Sequence, residues 1–474
     1  MAVGAEPKII QGGLGAGVSS WRLARAVSRL GQLGVVSGTG LDTVFVRRLQ
    51  NGDVGEHLRR AMKAFPVPEI AEWIYRKYFR PSGKSPSESF ERLPLLSATP
   101  SVEAKQLLVL SNFVEVFLAK EGHSGTVGIN YLEKIQMATL ASLYGAMLAG
   151  AGVVLMGAGI PREIPGAIDK LARQETADLR LTVAGAMPED AYHMSFSPLE
   201  VMGTDLPRME RPRFFAIISS NALALTLVKK ATGVVDGFVI EGPTAGGHNA
   251  PPRGEVQHNT RGEPVYGVKD EVDLEKIRSL GLPFWLAGSY GSPEGLRTAL
   301  ELGANGIQVG TPFALCRESS LSEELKTELL RQAANGGVDV FTDPDASPTG
   351  YPFKIARLAG TMSEPAVYEE RHRVCDMGYL RTPYRKEDGS LGYRCPAEPQ
   401  SAYVSKGGKV EETEGRKCLC NSLMANIGLG QFQSDESVEK PLVTIGDDVN
   451  LVKRFLLNGN LSYTAADVVR TILG

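Results

Sequence analysis

The stretch Pro283–Thr311, PFWLAGSYGSPEGLRTALELGANGIQVGT, decides the fold. An apolar run, PFWLAG, stops at glycine and serine, a helical pattern follows, and a second apolar run, NGIQVGT, closes the unit. Ser292 ahead of Pro293 reads as an N-cap followed by proline at the first helical position, where a missing N–H costs nothing. Both apolar runs are continuous rather than alternating, as parallel strands covered on both faces require. Outward from this unit the same punctuation recurs. Six further apolar runs end in or near Gly, Asn or Ser: KIIQGG (8–13), LGVVSG (33–38), TVGINYL (126–132), GVVLMGAG (152–159), RFFAIISS (213–220) and GFVIEG (237–242). Helical patterns such as SSWRLARAVSRLGQ, QMATLASLYGAMLAG and NALALTLVKKATG lie between most of them. Eight strand-helix units between residues 8 and 311 predict an α/β fold of the TIM (β/α)8 barrel type. A doubly wound open sheet is the alternative, but GGLGAG after the first run does not match the G-x-G-x-x-G of a dinucleotide site.

A chain of 474 residues that is 43% hydrophobic is long enough for a large core and exceeds one ordinary domain. Its net charge of −3 and pI near 6.2 carry no global basic footprint for nucleic acid. The start, MAVGAEPKIIQGG, has no basic segment followed by an apolar run, so no secretory leader is expected. Five cysteines in this length make no disulfide scaffold, and a cytoplasmic protein is the expectation. Residues 137–160 hold no charge and satisfy the length rule for a membrane span. Gly145, Gly150, Gly152, Gly157 and Gly159 divide them, however, into a buried helix and the next buried strand, so no membrane association is expected.

Two regions stand outside the bare barrel. Residues 41–125 form an insertion after the second strand, in which the Pro- and Ser-rich RPSGKSPSESFERLPLLSATP reads as an irregular connection between added helices. Beyond about 345 the alternation stops. The expected division is a barrel over 7–345 and a C-terminal extension over 346–474, packed on the barrel, with a polar, loop-like middle at 375–435. The extension ends in SYTAADVVRTIL, a helix with Thr464 and Asp467 spaced as a capping box.

In such a barrel the active site gathers at the C-terminal ends of the strands. The sixth strand leads into IEGPTAGGHNAPPRG, residues 240–254, where Gly246 and Gly247 precede His248. Paired glycines let backbone approach a bound planar or phosphorylated molecule closely, and a histidine beside them titrates near neutral pH. Glu241 sits at the same strand end, to orient the loop, to raise the histidine's pKa, or to cap backbone amides. His258 reads as a surface-loop residue. The seventh and eighth strands end at Gly288, Ser289, Gln308, Gly310 and Thr311, where barrels commonly bind phosphate through backbone N–H groups. No Lys or Arg lies between Trp285 and Gly295, so amides and hydroxyls have to serve there.

The ordered set IIQGGLGAGVS, VGINYLEK, LMGAGIP, EGPTAGGH, PFWLAGSYGSPEGLRTALELGANGIQVGTPF and VFTDPDASPTGYPFK resembles the nitronate monooxygenase, or 2-nitropropane dioxygenase, family across residues 7–365. The resemblance implies FMN in a TIM barrel. Gly12, Gly13 and Leu14 would lie along the flavin, Asn130 would hydrogen-bond its ring, Gly246 and Gly247 would border it, and Gly288, Ser289, Gln308, Gly310 and Thr311 would take the phosphate end. His248 would be the active-site histidine. The partners implied are a small-molecule substrate and dioxygen, with a homodimer as a compatible assembly. Gly288-Ser289 stands where many members have two glycines, and the long His248 loop, the insertion and the extension indicate a larger subgroup. Two other functions fit the same barrel: an NAD(P)H-dependent flavin reductase acting on an enoyl thioester or quinone, and a non-catalytic FMN-binding module.

Cys316 follows the eighth strand in an apolar run and reads as core. Cys375, Cys395, Cys418 and Cys420 all fall in the extension. Four thiols in a loop-rich region suit zinc or an iron–sulfur cluster, but the spacing lacks paired C-x2-C hooks. Reduced structural thiols and no metal are the expectation.

Overall fold

The computed structural model describes residues 6–456 and 460–474; residues 1–5, part of the stretch read for a secretory leader, lie outside them. The eight apolar runs are the eight barrel strands: β1 (Ile9–Gln11), β2 (Gly34–Ser37), β3 (Val127–Leu132), β4 (Val153–Gly157), β5 (Arg213–Ile218), β6 (Gly237–Glu241), β7 (Phe284–Ala287) and β8 (Gly306–Val309). Each pairs in parallel with its sequence neighbour, and β8 returns to β1 in the register Ile9↔Ile307, Ile10↔Gln308, Gln11↔Val309. Hydrogen bonds from Gln11 N to Leu33 O (2.9 Å) and Leu33 N to Ile9 O (3.1 Å) join β1 to the start of β2 and close the ring. Closure leaves no open sheet edge, so the doubly wound alternative is excluded.

The barrel interior is packed. Ile10, Leu33, Val35, Val153, Leu155, Phe215, Val239, Trp285 and Ala287 form one buried cluster, with the rings of Phe215 and Trp285 stacked at 4.8 Å. These side chains come from alternate positions of their strands, so the neighbouring positions face the outer helices and bury a second, larger core. The Ser292 cap forms as the sequence predicts: its side chain accepts from Gly295 N at 2.9 Å and starts the helix Pro293–Glu301.

Residues 137–160 resolve into the buried helix Gln136–Leu148 and strand β4. Among the described residues, no helix is long and apolar enough to cross a membrane. The insertion carries helices Leu41–Gln50, His57–Met62, Pro68–Tyr78 and Val102–Lys120, with 79–101 irregular between the last two.

After the helix Glu323–Asn335, strands Val340–Asp343 and Phe353–Ala356 pair antiparallel, and Gly247–His248 adds to Phe353–Ala356 as a third strand. Residue 345 falls in the turn between the first two, so barrel loop and extension share one small sheet. The region 375–435 is more ordered than its composition suggested: a hairpin, Thr382–Arg385 with Leu391–Arg394, and short helices Gln400–Ser405 and Leu419–Ala425 punctuate it. The hairpin turns at Asp388-Gly389, where Gly389 takes φ +81°. The final helix, Ala465–Leu473, begins with the reciprocal cap: Asp467 N donates to Thr464 Oγ1 (3.1 Å) and Thr464 N to Asp467 Oδ2 (2.8 Å).

Candidate functional site

One cavity opens at the C-terminal ends of the strands, with about 1310 Å³ of non-atom space, its solvent mouth included. All twelve positions singled out in the sequence line it: Gly12, Gly13, Leu14, Asn130, Gly246, Gly247, His248, Gly288, Ser289, Gln308, Gly310 and Thr311. Strand β1 delivers the Gly12–Leu14 floor, β3 delivers Asn130, β6 delivers Glu241 and the His248 loop, and β7 and β8 deliver the opposite end.

The floor is a close fit. A Cβ built on Gly13 would lie 1.9 Å from Asn130 Oδ1, and Asn130 Nδ2 donates to Gly13 O at 3.2 Å. Asn130 Oδ1 itself is buried with no partner. Gln11 locks the floor from below: its Nε2 donates to Ser19 Oγ (2.9 Å), and its Oε1 accepts from Val35 N (3.0 Å). At the end of β7, Gly288 (φ +96°) is followed by Ser289 at φ +61°. Ser289 therefore holds a left-handed backbone that costs an L-residue with a Cβ roughly 1–2 kcal/mol. Ala158, at the end of β4 and also on the cavity, does the same at φ +54°. Two strained non-glycine residues on one cavity are what a preorganised site displays.

His248 is fixed from the extension. Its Nε2 pairs with Ser347 Oγ at 2.7 Å, its ring meets Phe353 edge-on at 4.8 Å, and its backbone is in register with Phe353. Burial pushes its pKa down to about 4, so the imidazole is neutral at physiological pH. Glu241 accepts no hydrogen bond from a backbone amide, and burial alone pushes its carboxyl up to about 8. Of the three roles read for Glu241 in the sequence, two are thus not used: it caps no amide among the described residues, and it does not raise the pKa of His248, which burial lowers instead of leaving it near neutral. His258 is exposed, as expected for a surface loop.

Sequence reasoning missed the wall that the extension supplies. Phe353, Leu423, Thr444, Ile445, Gly446 and Asp448 also line the cavity. Segment 444–448 wedges between the His248 loop and β8: Asp447 N donates to Thr244 O (3.0 Å), and Gly446 N donates to Thr311 Oγ1 (3.1 Å). Lys354 Nζ, buried, holds Asp447 at 2.9 Å. Asp448 places a buried carboxyl on the Thr311 hydroxyl, and desolvation raises its pKa. The signal was present in PLVTIGDD (441–448), an apolar run stopped by glycine and aspartate like the barrel's own strands.

Residues 209–343 match the family model for nitronate monooxygenase. A nitronate monooxygenase of Pseudomonas aeruginosa is 40% identical over 120 residues, 25% of this chain and 32% of that protein. A (3aS,4S,5R,7aS)-5-hydroxy-7a-methyl-1-oxo-octahydro-1H-indene-4-carboxyl-CoA dehydrogenase of Mycobacterium tuberculosis is 28% identical over 132 residues, 28% of this chain and 34% of that one. The chain thus aligns with about a third of the length of these curated relatives. Among solved structures, FabK from Thermotoga maritima aligns with 99% of this chain and 92% of its own at 16% identity and a TM-score of 0.46. The matched segment runs from β5 through β8 and carries the His248 loop, and over that segment the chain is similar to the nitronate monooxygenase family.

Proposed function

We propose that the chain is an FMN-dependent oxidoreductase that oxidises alkyl nitronates and nitroalkanes with dioxygen. The observation that carries this reading is a backbone-lined floor, Gly12–Leu14, facing a buried neutral histidine across one cavity. A flat ring fits a floor whose backbone stays bare at Gly13, where a Cβ would strike Asn130, and the orphaned Asn130 Oδ1 offers it a hydrogen-bond acceptor. Gly246 and Gly247 border the same ring. Gly288, Ser289, Gln308, Gly310 and Thr311 would hold the phosphate. Asp448 fits a phosphate neighbour only as the protonated acid, and its raised pKa favours that form. When bound, FMN supplies electron acceptance from substrate and reoxidation by dioxygen.

The chain's own residues manage charge and protons. With Nε2–H donating to Ser347 Oγ, the Nδ1 lone pair of His248 accepts the α-proton of a neutral nitroalkane; in the other tautomer Nδ1–H donates to a nitronate oxygen. Glu241, protonated at neutral pH, removes carboxylate repulsion toward an anionic nitronate and adds an O–H donor. Anaerobic titration tests the reading: nitronate should bleach the flavin, and air should restore it with oxygen uptake. Rapid bleaching by NADH or NADPH alongside inert nitronates would replace it with the reductase reading. A flavin reduced by neither would reduce the chain to a binding module for this chemistry.

A further inference from the structure

We infer that the four cysteines of the extension form a ligand set for an iron–sulfur cluster. Cys375, Cys395, Cys418 and Cys420 lie 45 residues apart at the extremes of the sequence, yet all line one small cavity. Three separate segments bring them there. Cys375 follows the helix Pro365–Glu370, Cys395 directly follows the hairpin strand Leu391–Arg394, and Cys418 and Cys420 bracket the start of the helix Leu419–Ala425. All four are free thiols. Cys395 and Cys418 are buried in contact with Ala397, with Leu380 and Cys420 packed against them.

Structural thiols are ordinarily scattered singly through a core as small apolar residues. Here four converge on one gap in a region of short elements, whose own buried cluster is small. A shared ligand substitutes for a larger core, because binding energy becomes local folding energy. Among the described residues, no cluster of His, Cys, Asp or Glu is tight enough for a single metal ion, which argues against zinc. An iron–sulfur cluster places irons and sulfides in the middle and so holds its four thiolates farther apart than one ion does. The surrounding charge is mixed. Burial raises the pKa of both Cys375 and Cys418; the Arg381 and Arg371 guanidiniums pull them the other way, against Asp376, Glu398 and Glu439. Arg371 is itself tied to Glu439 at 2.7 Å.

The site also has a direction. Helix Leu419–Ala425 carries Cys420 at its second residue and Leu423, three residues on, in the wall of the main cavity. A rise of about 1.5 Å per residue sets the two linings roughly one helical turn apart. The cluster would thus neighbour any redox group in the main cavity. That consequence rests on the flavin reading above; cluster binding does not.

The test is the metal and sulfide inventory of the full-length chain, purified anaerobically without an affinity tag. It is repeated after reconstitution with ferrous iron and sulfide, with flavin content measured separately. Iron and acid-labile sulfide in equal amounts, with a paramagnetic resonance signal after dithionite reduction, are expected. Cys395→Ser and Cys420→Ser should lose both iron and signal, while flavin content reports independently whether the barrel still folds. Zinc without sulfide, disulfides, or four thiols that titrate freely after reconstitution would overturn the inference.

Discussion

Replacing Glu241 by glutamine removes one titration from the floor of the cavity and keeps the shape of the side chain. In the folded protein, burial holds this carboxyl's pKa at about 8 against an ordinary 4.5. Between those values the folded chain keeps a proton that the unfolded chain has lost. Its contribution to stability is therefore complete below pH 4.5 and drains away as pH rises through 8. Each pH unit in that window corresponds to about 1.4 kcal/mol, and the whole window to about 5 kcal/mol at most. Glu241 borders an open cavity, so water reaches it and roughly 2–3 kcal/mol is the realistic span. Glu241→Gln, which cannot ionise, should be free of this loss. Urea unfolding of both proteins at half-unit steps from pH 5 to 8.5 measures it. The wild-type midpoint should fall relative to the variant's as pH rises. His248 titrates with the opposite sign, losing its contribution as pH falls from 6.5 toward 4, but it is common to both proteins and cancels in the comparison. Parallel pH profiles for the two proteins would refute the buried-acid assignment.

Three further outcomes follow from the site. His248→Asn should keep the flavin but lower turnover by roughly 10²–10⁴-fold, most for neutral nitroalkanes and less for preformed nitronates; equal losses on both would remove His248 as the proton acceptor. Gly13→Ala drives a methyl into Asn130 Oδ1, so thermal unfolding should register about 1–3 kcal/mol of destabilisation together with weakened flavin retention. Asp448→Asn should tighten FMN binding, and by more at pH 8 than at pH 6, because the wild-type acid must be protonated to sit beside a phosphate; an unchanged dissociation constant across that range would place the phosphate elsewhere.

The barrel was legible because strands buried on both faces leave an unbroken apolar trace and end at residues that turn the chain. PFWLAG and NGIQVGT carry that trace without ambiguity, and the strand ends carry the barrel's half of the cavity with them. The extension's half was not legible. Phe353 reaches the site through a strand paired with a barrel loop about a hundred residues earlier, and Leu423 through a seven-residue helix. Neither pairing leaves a local period in the sequence. The hairpin at 382–394 did announce itself, in Asp388-Gly389, but the polar residues around that dipeptide masked it. The pKa values of His248 and Glu241 depend on burial that only the assembled cavity provides.

The strand added by Gly247 and His248 also bears on biosynthesis. Its partner, Phe353–Ala356, and the wedge at 444–448 leave the ribosome well after the last barrel strand. A nascent chain can close its ring of eight strands while the imidazole still lacks the edge it pairs with and the serine that orients it. The reactive end of the molecule is therefore the last part to set, and a chain cut short within the extension should fold its barrel and still have no finished pocket.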